Sequence, residues 1–201
     1  MRRTISRILN LVIAVLAIQA WLSMTFRPGA HGSLSAGSFD NLKYFTVLSN
    51  LFQAFVSLFY LAGRRPRRFK YASTTAVALT FSVVLFLLGS IYGYASMYAG
   101  ANFWLHLVVP VLAMLDFLFL DREGTFTLRD SLFAMIPMTA YGLFYMGNLI
   151  VNGVKGNDWY RFATGGPWAA AMTFLVIVLA NWAIALLLRL PRRERKPQDR
   201  N

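Results

Sequence analysis

Six apolar stretches follow one another along this chain, each close to the ~20 residues that cross a ~30 Å hydrocarbon core as a helix. They run from about Ile8 to Thr25, Phe45 to Gly63, Thr74 to Ser96, Asn102 to Leu120, Leu132 to Val151 and Pro167 to Leu188. A single soluble core cannot absorb this pattern. Apolar residues make up 57% of the 201 positions and charged residues 14%, against roughly 45–50% and about a quarter in soluble domains. The pattern predicts an all-α polytopic membrane protein, a bundle of six transmembrane helices.

The formal net charge of +12 would suit a nucleic-acid partner if the charge formed one patch, but it is distributed by side. Arg2, Arg3 and Arg7 precede the first stretch, and Arg64, Arg65, Arg67, Arg68 and Lys70 lie between the second and third. Arg122 and Arg129 separate the fourth from the fifth, and Arg189, Arg192, Arg193, Arg195, Lys196 and Arg200 follow the sixth. Only Arg27, Lys43, Lys155 and Arg161 fall on the other side. The positive-inside rule then predicts both termini in the cytoplasm and no nucleic-acid partner. Residues 1–190 read as one transmembrane domain and 191–201 as a basic cytoplasmic tail, too charged to fold. The first stretch reads as an uncleaved helix, because its apolar run is long for a signal peptide and no A-x-A site follows it. Short loops point to a bacterial cytoplasmic membrane. The chain has no cysteine and two histidines, which excludes disulfides, a thiol nucleophile and cysteine-ligated metal and leaves no basis for a metal or cofactor.

Polar residues inside the stretches are costly in hydrocarbon and so mark the bundle interior. Thr46, Asn50, Gln53 and Ser57 recur at i, i+4, i+7 and i+11, an arc of about 60° on one helix face. Tyr141, Tyr145, Asn148 and Asn152 repeat that spacing in the fifth stretch, and Gly89 and Gly93 form a G-x-x-x-G pair in the third. The expected topology puts Thr46, His106, Asn148 and Asn152 in the outer leaflet. Asp116 lies ten residues beyond His106, ~15 Å deeper along the helix, too far to orient the imidazole. Spacing alone is equally satisfied by back-bonded threonines, polar contacts that glue helices, and interfacial tyrosines. It leaves open an enzyme with an outward-facing polar cavity, a small transporter, and a lipid-binding scaffold.

Two segments carry a family resemblance. Leu42-Lys43-Tyr44-Phe45-Thr46-Val47-Leu48-Ser49-Asn50 opens the second stretch and Trp104-Leu105-His106-Leu107-Val108-Val109-Pro110 opens the fourth. Together they resemble the androgen-induced family of polytopic membrane threonine hydrolases, which includes bacterial relatives. The resemblance implies a six-span bundle that hydrolyses fatty acid esters of hydroxy fatty acids, with Thr46 as nucleophile and His106 as its partner. The chain departs from the family before its last span, where Tyr160-Arg161-Phe162 stands in place of an aromatic-Pro-Phe element.

Such a pair suits acyl transfer on a lipid ester. His106 takes the Thr46 proton as the hydroxyl attacks the ester carbonyl, then returns it to the leaving alcohol, and water resolves the acyl-threonine. Level and facing make Asn50 the first candidate oxyanion donor and Asn148 the second, with Tyr145 as a candidate orienting group.

Overall fold

A computed structural model describes residues 1–26, 38–121 and 124–192. In chain order the main helices are α1 (Arg2–Phe26), α2 (Phe45–Leu61), α3 (Arg67–Tyr92), α4 (Ala101–Leu120), α5 (Leu128–Asn152) and α6 (Pro167–Arg192). All but α2 are long and apolar enough to cross a membrane. The 17 residues of α2 extend about 25 Å at 1.5 Å per residue. Large apolar side chains such as Ile8, Phe55, Phe86, Phe144, Val176 and Leu187 point outward, as a lipid-facing surface requires.

The third helix is the axis of the bundle. Every residue from Lys70 to Thr80 is buried, with α2, α4, α5 and α6 packed around it. Its small residues Ala72, Ser73, Ala76 and Ala78 let those neighbours approach closely. This explains why α3 begins at Arg67 rather than at the expected Thr74. Its first turn, Arg67 to Phe69, is exposed and mostly charged, and the turns from Lys70 onward are polar and face inward, so hydropathy does not register either.

Among the described residues, three π turns interrupt the α geometry. They span Val84–Leu88 in α3 and Trp104–Val108 and Asp116–Leu120 in α4. In each, an amide reaches back five residues: Gly89 to Val84, Val109 to Trp104, and Asp121 to Asp116. Pro110 has no N–H to offer the His106 carbonyl four residues earlier, and the wide turn ahead of it lets α4 continue.

The Gly89/Gly93 pair serves a chain reversal. Gly93 ends α3 at φ +85°, and a Cβ at Gly89 would lie 2.3 Å from the Tyr94 ring. The short helix Tyr94–Met97 packs back there before α4 starts. At the other end, Thr127 and Asp130 form a capping box on α5, and Arg68 pairs with Asp130 at 2.6 Å.

The expected tail is shortened at its root. Arg192 is buried at the end of α6, its guanidinium 4.4 Å from the Phe117 ring and 4.7 Å from the Phe126 ring. Those aromatic faces draw the cation in. Residues 193–201, like most of the connector after α1, lie outside the described residues.

Candidate functional site

The first turn of α2 shapes the environment of Thr46. The Phe45 amide donates to Tyr160 Oη at 2.8 Å, and the Val47 and Leu48 amides both return to the Tyr44 carbonyl. Among the described residues, neither the Thr46 amide nor its hydroxyl has a hydrogen-bond partner. Both donors stand at a helix N-terminus, where the unpaired amides and the helix dipole favour negative charge.

Thr46 is half-buried and opens onto a cleft of about 50 Å³. Leu79, Val83, Leu88, Met138 and Ile177 make the walls almost wholly apolar, with Thr80, Tyr141 and Tyr160 as polar exceptions. The α5–α6 connection roofs it. Asp158 accepts from Tyr145 Oη and from the amides of Phe162 and Ala163 at 2.9 and 2.8 Å, which braces the loop. Tyr160 and Phe162 then stack over the cleft. Burial, with Tyr141 bonded alongside, pushes the Tyr160 phenol well above its usual value, so it stays neutral. Between these two aromatics, Arg161 sits at φ +59°. Proline cannot adopt that angle, so this loop is incompatible with the family's aromatic-Pro-Phe element.

His106 is buried within the first π turn of α4. Its Nδ1 lies 2.7 Å from the Met97 carbonyl. A carbonyl only accepts, so Nδ1 carries a proton, and in the neutral form of the ring Nε2 is the acceptor. The orienting group is thus a backbone carbonyl of the short reversal helix. No hydrogen bond joins His106 to Thr46, and His106 does not line the Thr46 cleft.

Asn50 connects the two elements differently from expectation. Its Nδ2 donates to the Thr46 carbonyl at 2.7 Å and to the Leu105 carbonyl at 3.0 Å, so it clips α2 to α4. Both partners are acceptors, which fixes the amide's orientation and commits its donors. Asn50 has no free N–H for an oxyanion. The other candidates also have separate employment. Tyr145 donates to Asp158, away from His106. Asn148 accepts from Asn152 at 2.8 Å and faces a surface groove with Asp40, Lys43 and Trp159.

The bundle holds a second polar centre at the opposite end of α2, α3 and α4. Asp116 is wholly buried and accepts from Lys70, also buried, and from Asn10 at 2.8 Å. The Lys70 ammonium also meets Asp121 at 3.0 Å and lies 3.9 Å over the Tyr60 ring. Burial pushes the Asp121 carboxyl up, but the Lys70 charge and hydrogen bond, the Tyr60 hydroxyl and Arg192 outweigh it and hold the group below the ordinary carboxylate range. Sequence reasoning counted Lys70 as a flanking topology charge and missed Asn10. The available signal was Asn10 and Asp116, polar residues inside the first and fourth apolar stretches near the same face, with Lys70 just ahead of the third. No family model, curated protein or solved structure matches this chain.

Proposed function

We propose that this chain is a six-span membrane protein with both termini cytoplasmic, and that it hydrolyses carboxylic esters of lipids. The observation that carries the reading is Thr46, whose hydroxyl and amide have no partner among the described residues at the start of α2 and open onto an apolar cleft. The hydroxyl supplies the nucleophile, and the apolar walls suit hydrocarbon, the cleft of about 50 Å³ widening to admit an acyl chain. The Thr46 amide replaces Asn50 as oxyanion donor, aided by the α2 dipole. His106 Nε2 is the base, already held in the accepting tautomer by Met97. Its approach to the Thr46 hydroxyl, direct or through one water, accompanies substrate binding. Fatty acid esters of hydroxy fatty acids fit this chemistry because both halves of the substrate are apolar and the ester is mid-chain. A bacterial cytoplasmic membrane suits the short loops.

A second reading, a small transporter, draws on the buried Lys70–Asp116 pair, since ionisable groups inside membrane helices commonly mark ion or proton pathways. Labelling purified protein with an acyl-hydrolase phosphonate separates the two. Hydrolysis requires adduct on Thr46, loss of label in Thr46→Ala and weaker label in His106→Ala. Folded protein that takes no label and cleaves no lipid ester would refute it.

A further inference from the structure

The interface of α2, α3 and α4 contains a row of buried oxygen atoms that lack a donor. Asn50 Oδ1, Gln53 Oε1, Thr74 Oγ1, Asp116 Oδ1 and, from α1, Asn10 Oδ1 are each sealed from solvent with no hydrogen-bond partner among the described residues. Leaving a buried polar group unpaired is costly, and native proteins satisfy such groups with ordered water. Except for the Thr74 hydroxyl, these atoms only accept. Whatever satisfies them must donate hydrogen bonds or carry positive charge, and it passes beside the packed apolar side chains Ala54, Val77, Val109 and Ala113.

Their order along the helices forms a ladder. Ser49 meets Thr80 at 3.0 Å at the α2–α3 contact, Asn50 meets Leu105 beside His106, and Lys70 meets Tyr60 and Asp116 at the other end. These contacts set the register, and each wall between them is about ten residues, or ~15 Å, long. Gln53 stands one turn from Asn50, and Thr74 stands one turn from Lys70. Ser57 and Ser73 bring hydroxyls to the interval below Thr74, and both are fully buried. Successive polar groups are thus separated by roughly 4–6 Å of helix rise, a gap that one water with hydrogen bonds of about 2.8 Å on either side spans. Both ends of the ladder on α4, His106 and Asp116, fall in π turns, where the wider helix leaves room beside the backbone.

We propose that a file of water occupies this interface and conducts protons between the Asp116–Lys70 cluster and the His106 end of the bundle. In each hop one O–H bond breaks as the next forms, so a proton entering at one end releases a proton at the other and no co-reactant is consumed. The charges facing the inner end are Lys70, Asp116, Asp121 and Arg192, with the Tyr60 phenol beside them and Arg3, Arg7 and Arg65 around Tyr60 and Asp121. At the outer end the titratable group is His106. The proposal stands independently of ester hydrolysis at Thr46.

The test uses the full chain in liposomes that contain a pH-sensitive dye and carry a potassium diffusion potential set by valinomycin. The expected result is a proton flux above that of protein-free vesicles of the same lipid. Thr74→Val keeps the side-chain size and removes the hydroxyl, and Gln53→Leu removes the amide. Each should reduce the flux to the protein-free level while circular dichroism shows the helices intact. Wild-type flux equal to that of protein-free vesicles overturns the proposal. So does Thr74→Val conducting like wild type, which decides the matter even if Gln53→Leu fails to fold. Protein-dependent movement of sodium without a pH change also overturns proton conduction and assigns the file to alkali cations.

Discussion

Replacing Lys70 with methionine gives the most demanding test of the buried charge cluster. The side chain lies wholly inside the bundle with two carboxylates and the Tyr60 ring around it. Removing one partner of a buried ion pair strands the other, at a cost of about 3–5 kcal/mol. Lys70→Met strands Asp116 and leaves Asp121 dependent on Arg192 and Tyr60. Asp116→Leu is milder, at about 1–3 kcal/mol, because Lys70 keeps Asp121 at 3.0 Å. The double variant Lys70→Met/Asp116→Leu should be more stable than the sum of the single effects predicts, because it restores neutrality and apolar packing. Unfolding of detergent-solubilised protein, followed by circular dichroism, supplies the three free energies of the cycle. The account fails if the two single effects add to within about 0.5 kcal/mol, or if Asp116→Leu is the costlier change.

The same cluster sets a pH dependence. The folded pKa of Asp121 is lowered below its ordinary 3.8, so its stabilisation is complete above that value and disappears as pH falls through the lowered one. Melting temperature should therefore drop on acidification below about pH 4, and Asp121→Asn should flatten that limb. At the roof of the cleft, Arg161→Gly should raise stability by about 1 kcal/mol by relieving the positive φ. Arg161→Pro should abolish loop packing, measurable as increased tryptophan exposure at Trp159.

The helices themselves were largely legible in the sequence. The expected stretch Asn102 to Leu120 and helix Ala101–Leu120 nearly coincide, and Pro167 opens α6 in both readings. Error concentrated where polarity and burial part company. Lys70 looked like one more flanking cation because its partner Asp116 is 46 positions away, and side-chain pairing at that separation leaves no local trace. Asn50 was correctly assigned to an inward face, but its donors were spent on two carbonyls, a matter of interhelical distance. The π turns leave no clear signature either, since widening one turn does not disturb the apolar pattern. Tyr160 was identified as a motif position. That its hydroxyl accepts from the first amide of α2 depends on how the loop folds back.

The distribution of polarity in α3 also governs how the chain enters a bilayer. A helix carrying Lys70, Ser73, Thr74, Thr75 and Thr80 on interior faces is a poorer solitary insertion segment than its apolar content suggests, because a lysine in its opening turns and four hydroxyls each oppose entry into hydrocarbon. Asp116 burdens α4 in the same way. Inserted together as a hairpin, the two helices cancel each other's charge and cover each other's polar faces. The short reversal from Gly93 to Gly100 keeps them adjacent as they leave the ribosome. Substitutions at Lys70 or Asp116 should therefore be felt during synthesis, as failed insertion of the α3–α4 pair, before any folded protein exists to be destabilised.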